Sequence, residues 1–361
     1  SSCHTGKQIT ASGLQRKDFQ TEVNGQHTDL FTLSNKQGME VCITNYGARV
    51  VSILVPDRNG KREDVVCGFS TITEYMEQRQ NFGSTVGRYI GRILNARFTL
   101  DGVEYKLVPN NGKSGHISHG GNPGFADRIW KVEQADTHRV RLSYLSPDGE
   151  NGFPGNLKVT LVYSLGEDDN ALDLTYEATT DAPTVLNLSH HSFFNISGNF
   201  TKSVEDQQLW VDADRFTPYD DKKCVTGEYL QVAGTPLDFR MPHAIGECID
   251  ADHPQLKVVN GYDHTWELNT KGDDTRPAAW VYDPVSGRKM EIFTTEPGMQ
   301  IYTGNGLKGK MTGKGGIAYP FRSAVCFETM HFQDSPNQPG FPSTVLRPGE
   351  VFRSHTVYKF E

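Results

Sequence analysis

The chain has 361 residues, of which 36 are Lys or Arg and 44 are Asp or Glu, so its formal net charge is -8. This negative charge argues against a nucleic-acid backbone or an anionic membrane surface as the main partner. No apolar run in the sequence is long enough to cross a bilayer, so no transmembrane segment is predicted. The length is ample for burying a hydrophobic core, in one large domain or in two average ones.

The N-terminal residues 1–17 are polar, and we predict that they form a tail or tether. The opening Ser1-Ser2-Cys3 resembles the end of a bacterial lipoprotein signal, whose cysteine becomes the lipidated first residue. It favours a lipid anchor at Cys3 and a periplasmic location in a bacterial host. The alternative is an ordinary ragged terminus, with cytoplasmic residence.

From residue 18 the chain is a series of segments with alternating apolar and polar residues, separated by links rich in Gly, Pro, Asn and Asp. The clearest segments are DLFTLSN, MEVCITNYG, ARVVSILVP, VRLSYLS, LKVTLVYSL, ALDLTYEAT, KMEIFTT, MQIYTG and VFRSHTVYKF. No long segment has helical periodicity, and residues 71–80 are one of few helix-compatible stretches. We therefore predict an all-β protein, a large antiparallel β-sandwich with few short helices, formed by residues 18–361 as a single domain.

Two local features can be predicted without the rest of the fold. Residues 97–108 (RFTLDGVEYKLV) are expected to form a hairpin, because Asp101-Gly102 is a dipeptide that a type I′ turn prefers. The six cysteines are widely spaced and include no C-x-x-C pair, which predicts neither a zinc ribbon nor a thioredoxin motif. Three of them lie in apolar, strand-like runs and are expected to be buried as small apolar side chains: Cys42, Cys67 and Cys326.

The stretch TVLNLSHHSFFNISG (184–198) combines a strand-like pattern with many polar side chains. If it is one strand, its two faces differ, because successive side chains point to opposite sides. One face carries Val185, Asn187, Ser189, His191, Phe193 and Asn195, and the other carries Leu186, Leu188, His190, Ser192, Phe194 and Ile196. The first face would be costly to bury without partners, so we predict that it forms the wall of a polar ligand cleft. The alternative is a half-exposed strand with solvated polar residues.

Four further segments combine polar side chains with residues that bend the backbone: 81–94, 115–130, 260–266 and 323–332. In the last of these, Glu328 lies on a strand that is apolar on both faces and is therefore expected to be buried. Burial raises the pKa of a carboxyl group unless a cation or hydrogen bonds compensate. Such a group is a candidate for function, and the alternative is a buried salt bridge to an arginine such as Arg92.

The histidines are numerous enough to form a metal site, but their spacing does not favour one. His190 and His191 are neighbours on a predicted strand and face opposite ways, so they cannot easily share an ion. His116 and His119 lie in a Gly-rich loop with no preorganised face. We therefore predict no metal. A Ser-His-Asp hydrolase is not indicated either, because the sequence has no G-x-S-x-G motif.

Together, the polar motifs resemble those of the aldose 1-epimerases, also called galactose mutarotases. The resemblance runs from about residue 18 to residue 361. It is carried by GRYIGRI (87–93), HGG with a following GF and Trp (119–130), NLSHHSFFNISG (187–198), TGEYLQVAGTPLDFR (226–240), GYDH (261–264), TTEPGMQIYTGN (294–305), FETMHF followed by NQPGFP (327–342) and RPGE (347–350). Each motif is weak alone, but so many matches in the same order are not expected by chance.

The resemblance implies a galactose mutarotase-like supersandwich that interconverts the α and β anomers of free aldohexoses such as glucose and galactose. It implies a free monosaccharide as substrate, no cofactor, and a monomer or weak dimer. In this chemistry a base removes the proton of the C1 hydroxyl while an acid protonates the ring oxygen. The ring opens, the C1–C2 bond rotates and the ring closes on the other face. A carboxylate and a histidine on opposite sides of the sugar would serve both steps.

Carried over position by position, the resemblance implies that Glu328 is the base, His191 the acid and His119 a second histidine near C1 and the ring oxygen. Three residues match those that hydrogen-bond the sugar hydroxyls: Arg92, Asp263 and Gln300. Two positions depart from the family, because Gly91 and His190 replace asparagines that are common there. The missing amide at position 91 leaves the preferred sugar open. His190 is expected to be structural, because strand alternation places it on the apolar face.

Two other classes of function remain as alternatives. A non-catalytic sugar-binding protein would share a concave site and hydroxyl partners, but it would not need the pair formed by Glu328 and His191. A polysaccharide lyase or a glycoside hydrolase could use the same scaffold. Hydrolases generally need two carboxylates beside the scissile bond, whereas the resemblance implies one base and one aspartate that binds hydroxyls.

Overall fold

The computed structural model describes residues 7–361, so the predictions made for Cys3 lie outside the described residues. The strands are, in chain order, β1 (Glu22–Val23), β2 (Gln26–His27), β3 (Leu30–Ser34), β4 (Glu40–Thr44), β5 (Arg49–Pro56), β6 (Arg62–Asp64), β7 (Thr85–Val86), β8 (Arg92–Ile93), β9 (Arg97–Leu100), β10 (Val103–Lys106), β11 (Ile117–Ser118), β12 (Lys131–Ala135), β13 (Arg139–Ser146), β14 (Leu157–Leu165), β15 (Ala171–Thr180), β16 (Thr184–Val185), β17 (Ser189–His190), β18 (Phe193–Phe194), β19 (Gln208–Val211), β20 (Arg215–Thr217), β21 (Leu230–Gln231), β22 (His243–Ala244), β23 (Asp263–Glu267), β24 (Ala279–Tyr282), β25 (Lys289–Thr294), β26 (Gly298–Tyr302), β27 (Val325–Met330), β28 (Val345–Leu346) and β29 (Phe352–Phe360).

Two large antiparallel sheets form the sandwich. The nine-stranded sheet has the order β12-β13-β14-β15-β29-β25-β24-β19-β22, and the six-stranded sheet has the order β18-β27-β26-β23-β20-β21. The sheets are in contact where the Tyr358 hydroxyl of β29 donates to the Phe327 carbonyl of β27 at 2.7 Å. A separate four-stranded sheet contains β3 to β6 in sequence order. The predicted all-β sandwich is confirmed.

The alternating sequence pattern accounts for the longest strands. In β14 and β15 every second side chain is buried, as expected for strands with one face against another layer. The buried apolar side chains of β14 and β15 belong to one hydrophobic cluster that also contains side chains from β25, β26 and β27. Removal of this apolar surface from water is the main force that holds the sheets together.

Several local predictions are confirmed. Residues 71–80 contain the α-helix α1 (Ile72–Gln78), and the other α-helix of the described chain is α2 (Pro254–Lys257). Asp101 and Gly102 connect β9 to β10 with φ angles of 51° and 76°, as a type I′ turn requires. The three cysteines expected to be buried are buried and free. Within residues 7–361, no helix has the length and apolar character needed to span a membrane.

Part of the segment predicted as a tail contacts the four-stranded sheet. The backbone N–H groups of Ala11 and Ser12 donate to the carboxylate of Glu40 on β4, at 2.8 and 3.1 Å. Leu14 is buried in a second hydrophobic cluster that also contains Cys42 of the same strand. These contacts give the buried Glu40 carboxylate hydrogen-bond donors, which reduces the cost of its burial.

The prediction that residues 184–198 form one strand is wrong. The stretch is divided into β16, β17 and β18, which pair with β28, β7 and β27 respectively. Polar side chains between and within these short pairings bind backbone carbonyls of a neighbouring segment. Asn187 donates to the carbonyl of His331 at 2.9 Å, and Ser189 donates to that of Thr329 at 2.7 Å. Side-chain hydrogen bonds of this kind compete with regular pairing, which explains the interruptions.

Candidate active site

A cavity of about 630 Å³ lies against the six-stranded sheet. Its volume is within the range of about 300–1,000 Å³ that is usual for small-molecule sites. Each of the four polar segments singled out in the sequence contributes to its wall, as does the stretch 184–198. The lining includes all six site residues predicted from the sequence: Arg92, His119, His191, Asp263, Gln300 and Glu328. The fold therefore brings together residues that are more than 200 positions apart in the chain.

The register of the six-stranded sheet explains how three of these residues meet. Glu328 on β27 lies directly opposite Gln300 on β26, so both side chains project from the same face of the sheet. On the next strand, β23, Asp263 is near enough to accept a hydrogen bond from the Gln300 amide at 2.8 Å. All of β27 is buried, as the sequence predicted. Hence the Glu328 carboxyl group reaches the cavity from a strand that is covered on both faces.

His191 and Glu328 are in direct contact. The His191 Nε2 atom lies 3.2 Å from Glu328 Oε1, and the two side chains are only 7% and 3% exposed. The His191 ring stacks on Phe193, with ring centroids 5.1 Å apart and an interplanar angle of 19°. We expected the carboxylate and the histidine on opposite sides of a sugar. In the structure they instead lie side by side, in contact at one place in the cavity wall.

The surroundings change the pKa values of this pair in opposite directions. Burial raises the pKa of Glu328 well above its ordinary value, and the nearby carboxyl group of Asp263 raises it further. Burial lowers the pKa of His191 well below its ordinary value, and the neighbouring His119 contributes to the same shift. Both shifts favour the uncharged forms, a protonated carboxyl group beside an unprotonated imidazole, so the pair holds one proton that either group can carry in acid–base chemistry.

The alternative of a buried salt bridge between Glu328 and Arg92 is wrong. Among the ion pairs of residues 7–361, Glu328 has His191 as its only partner. The Arg92 guanidinium donates to the carbonyl of Lys223 at 2.6 Å, on the loop at the cavity rim. Glu328 is therefore without the compensating cation that would keep its pKa low.

His119 lies beside this pair, with its ring edge-on to that of His191 at 5.3 Å between centroids. Its Nδ1 atom accepts a hydrogen bond from the backbone N–H of Gly91 at 3.1 Å. Burial, and then the charge of Arg92, lower the pKa of His119 to about 4, so the ring is neutral at pH 7. A neutral ring whose Nδ1 accepts must carry its proton on Nε2, which leaves this nitrogen as a donor.

His190, the neighbour of His191, lies on the opposite side of the chain. It is buried, its Nε2 atom is 2.5 Å from the Ser192 hydroxyl, and its ring contacts those of Tyr163 and Tyr358. Strand alternation at these two positions is thus preserved.

The prediction that the polar residues beside His191 also line the cleft is wrong. Of the residues in this stretch, all of them described, the cavity lining includes only His191 and Phe193.

Sequence reasoning missed two residues that connect the predicted sugar-binding groups. The Gln333 amide donates to the Tyr219 hydroxyl at 2.9 Å. That hydroxyl donates to the backbone carbonyl oxygen of Asp263 at 2.6 Å. Burial raises the pKa of the Asp263 carboxyl group to about 6. The only sequence signal for Gln333 is its position five residues after Glu328, just beyond the strand. Tyr219 lies in a turn cluster, where no periodic pattern marks it.

The site also assembles a set of groups that could hold a metal ion. One ligand atom from each of His119, His191 and Glu328 lies within 4.8 Å of the others. Two imidazoles and one carboxylate form a common zinc ligand set. This combination differs from the histidine pairs that the sequence suggested, His116 with His119 and His190 with His191. The same three groups are those that acid–base chemistry requires, so catalysis without a metal stays a prediction.

Comparison with known proteins agrees with this geometry. The family model described as aldose 1-epimerase matches residues 29–359. The chain is 40% identical to the galactose mutarotase of Bos taurus over 91% of this chain and 93% of that protein. It is 36% identical to the aldose 1-epimerase of Escherichia coli K12 over 93% of this chain and 96% of that protein.

The solved structures show the same likeness over nearly the whole chain. An aldose epimerase homologue from C. elegans superimposes with a TM-score of 0.83 at 30% identity, covering 92% of this chain and 99% of that one. A galactose 1-epimerase from Lactobacillus acidophilus NCFM has a TM-score of 0.81 at 28% identity, covering 94% and 96%. The chain belongs to the aldose 1-epimerase family.

Proposed function

We propose that this protein is an aldose 1-epimerase, an isomerase that interconverts the α and β anomers of free aldohexoses. The observation that carries the proposal is the contact of 3.2 Å between His191 Nε2 and Glu328 Oε1 in the wall of the 630 Å³ cavity. Sugar binding alone needs hydroxyl partners, but it does not need a buried carboxyl group and a buried imidazole in contact, with pKa values shifted in opposite directions. Membership of the family supports the same reaction.

The proposed reaction begins as the one proton that the pair shares moves from Glu328 to His191 across their 3.2 Å contact, which leaves a Glu328 carboxylate and a protonated His191 imidazole. Glu328 takes the proton of the C1 hydroxyl while His191 gives its proton to the ring oxygen. The bond from C1 to the ring oxygen breaks, and an aldehyde forms at C1. After rotation about the C1–C2 bond, His191 takes the proton back from the ring-oxygen hydroxyl and Glu328 returns its proton to the former C1 oxygen. The ring closes as the other anomer, and the enzyme regains its starting protonation state.

The contact between the two groups fits this chemistry better than a wide separation would. The C1 hydroxyl oxygen and the ring oxygen are bonded to the same carbon, so the groups that serve them must also be close together. His119 is proposed to donate from Nε2 to one of these oxygens, because its Nδ1 is occupied by the Gly91 N–H. Arg92, Asp263 and Gln300 are proposed to bind the other hydroxyls.

The test is polarimetry on freshly dissolved α-D-glucose and α-D-galactose, with and without purified protein. We expect the rotation to reach its equilibrium value faster in proportion to protein concentration. The matched control substrate is methyl α-D-glucopyranoside, which has no C1 hydroxyl proton and cannot open its ring. Its rotation should not change.

The outcomes separate the alternatives. Sugar binding detected by calorimetry without any acceleration would identify a binding protein and overturn the proposal. Release of free glucose from the methyl glycoside would instead indicate a hydrolase, in which Glu328 and Asp263 would be the two carboxyl groups.

A further inference from the structure

The side chain of Gln333 lies directly over the backbone of Gly91. A Cβ atom added at Gly91 would be 2.6 Å from Gln333 Cγ and 3.1 Å from its Cδ, which is closer than ordinary atomic contacts. Gly91 also has a φ of +76°, a conformation that residues with a Cβ adopt at a cost. Glycine at position 91 therefore provides the space in which the Gln333 side chain lies.

From this position the Gln333 side chain forms hydrogen bonds to three parts of the cavity wall. Its Oε1 atom accepts a hydrogen bond from the backbone N–H of Arg92 at 3.2 Å. Its Nε2 atom donates to the Tyr219 hydroxyl at 2.9 Å and to Gln300 Oε1 at 3.3 Å. The residue itself is buried and lines the cavity. The amide thus joins β8, which carries Arg92, to β26, which carries Gln300.

We propose that Gln333 is a positioning residue that holds Arg92 and Gln300 in one hydroxyl-binding wall, and that Gly91 is required because it makes room for this side chain. The inference rests on the proposed function and adds to it a determinant of sugar binding. Gln333 makes no hydrogen bond to Glu328 or His191 among the bonds of the described residues. Its loss should therefore weaken sugar binding far more than it slows proton transfer.

The relation between the two positions can be tested with Gly91→Ala, Gln333→Ala and the double variant. In the first, the new Cβ displaces the Gln333 side chain. In the second, the side chain is removed beyond its own Cβ. In the double variant the atoms that would collide with the Cβ at position 91 are absent. If both changes act by removing the same amide from the same place, their effects on sugar binding will not multiply.

We expect each single variant to raise KM for galactose or glucose about tenfold while kcat stays within about threefold. The reason is that misplaced hydroxyl-binding groups weaken the binding of the substrate and of the transition state alike. The double variant should have the KM of Gln333→Ala. Gln333→Glu keeps the volume and the acceptor for the Arg92 N–H but loses both donated hydrogen bonds, so it should also raise KM. Calorimetric titration with the sugar measures the same affinity independently of turnover.

The chain offers a matched control outside the cavity. A Cβ added at Gly227, which has a φ of +87°, would be 2.3 Å from Gln338 Oε1, and neither residue lines the cavity. Gly227→Ala and Gln338→Ala make the same kinds of change at a crowded glycine outside the cavity, so KM should stay within about twofold of wild type.

Three results would overturn the inference: an unchanged KM and an unchanged calorimetric affinity in Gln333→Ala, effects of Gly91→Ala and Gln333→Ala that multiply in the double variant, or an equal rise of KM in the control pair. Failure of the proposed function is distinguishable from these. In that case the wild-type protein itself would not accelerate mutarotation, while the calorimetric comparison would still decide whether Gln333 and Gly91 shape the binding site.

Discussion

His355 on the nine-stranded sheet and His191 beside the six-stranded sheet have opposite electrostatic surroundings. His355 Nε2 lies 2.6 Å from Asp173, and its Nδ1 lies 2.7 Å from Asp274. These carboxylates raise the pKa of His355 to about 9. His191 has no such pair of anions, and burial lowers its pKa. The pKa of His355 is therefore set mainly by its charged partners, whereas that of His191 is set mainly by burial away from water.

The difference separates a histidine that stabilises the fold, on the nine-stranded sheet, from one that belongs to the candidate active site, beside the six-stranded sheet. On the outer face of the nine-stranded sheet, an ionised side chain gains partners when the protein folds and stabilises it. Against the six-stranded sheet, Glu328 is buried without a compensating cation, which destabilises its charged form. Groups kept in such an unfavourable state are typical of sites where proton transfer takes place.

The largest expected effect is that of Glu328→Gln. The amide preserves the volume of the side chain but cannot accept the C1 proton, so turnover should fall by about 10²–10⁴-fold while sugar binding is largely retained. Polarimetry measures the turnover and calorimetry the binding. The control is Glu177→Gln on β15, where the side chain is exposed on the nine-stranded sheet and turnover should not change. Near-normal turnover in Glu328→Gln would show that the base is another group.

The adjacent histidines should differ almost as strongly. His191→Asn should lower turnover by about 10²–10⁴-fold, as expected for loss of a general acid, with a small change in melting temperature. His190→Asn should keep turnover within about tenfold, which corresponds to about 1.4 kcal/mol in the barrier. It should lower the melting temperature, because its ring packs against Tyr163 and Tyr358. The reverse pattern would mean that the acid is wrongly assigned.

A shift of the pH profile should follow removal of the Asp263 carboxyl group. This group raises the pKa of Glu328, so Asp263→Asn should lower that pKa. The base would then stay ionised to lower pH, and the acid limb of the kcat/KM profile should move to lower pH. The pH at which kcat/KM falls on the acid side reports the pKa of the base even if the variant binds sugar less well. Asp252→Asn, at an exposed carboxylate, is the control and should leave the limb in place.

The stability contributed by His355 should depend on pH. Because its folded pKa is raised from 6.5 to about 9, the protonated form is favoured in the native state. Its stabilisation is complete below pH 6.5 and is lost as the pH rises through about 9. His355→Gln should therefore lower the melting temperature at pH 6, and the difference from wild type should shrink by pH 9.5. Turnover at a fixed pH should be unaffected. A constant difference across this range would contradict the prediction.

The smallest expected effect is that of metal removal. If the three groups at the site act as an acid–base set, dialysis against EDTA should leave the mutarotation rate unchanged. A rate that disappears on dialysis and returns with added zinc would instead assign His119, His191 and Glu328 to a metal centre.

The amino-acid sequence by itself determined the features that depend on local pattern. Alternation over β14 and β15 predicted strands with one buried face, and Asp101-Gly102 predicted the turn between β9 and β10. The family motifs identified six residues that all line one cavity. These predictions succeeded because a strand period, a turn conformation and a motif are each encoded by residues close together in the chain.

The tertiary structure decided what depends on partners far away in the sequence. Residues 184–198 are divided among three pairings, because their polar side chains bind carbonyls of β27 and the loop after it. Gln333 is part of the site because Gly91, more than 200 positions earlier, leaves it space. The contact between His191 and Glu328 likewise arises from the pairing of β18 with β27. Sheet register and side-chain hydrogen bonds form between segments whose separation no local pattern records, so only the folded chain specifies them.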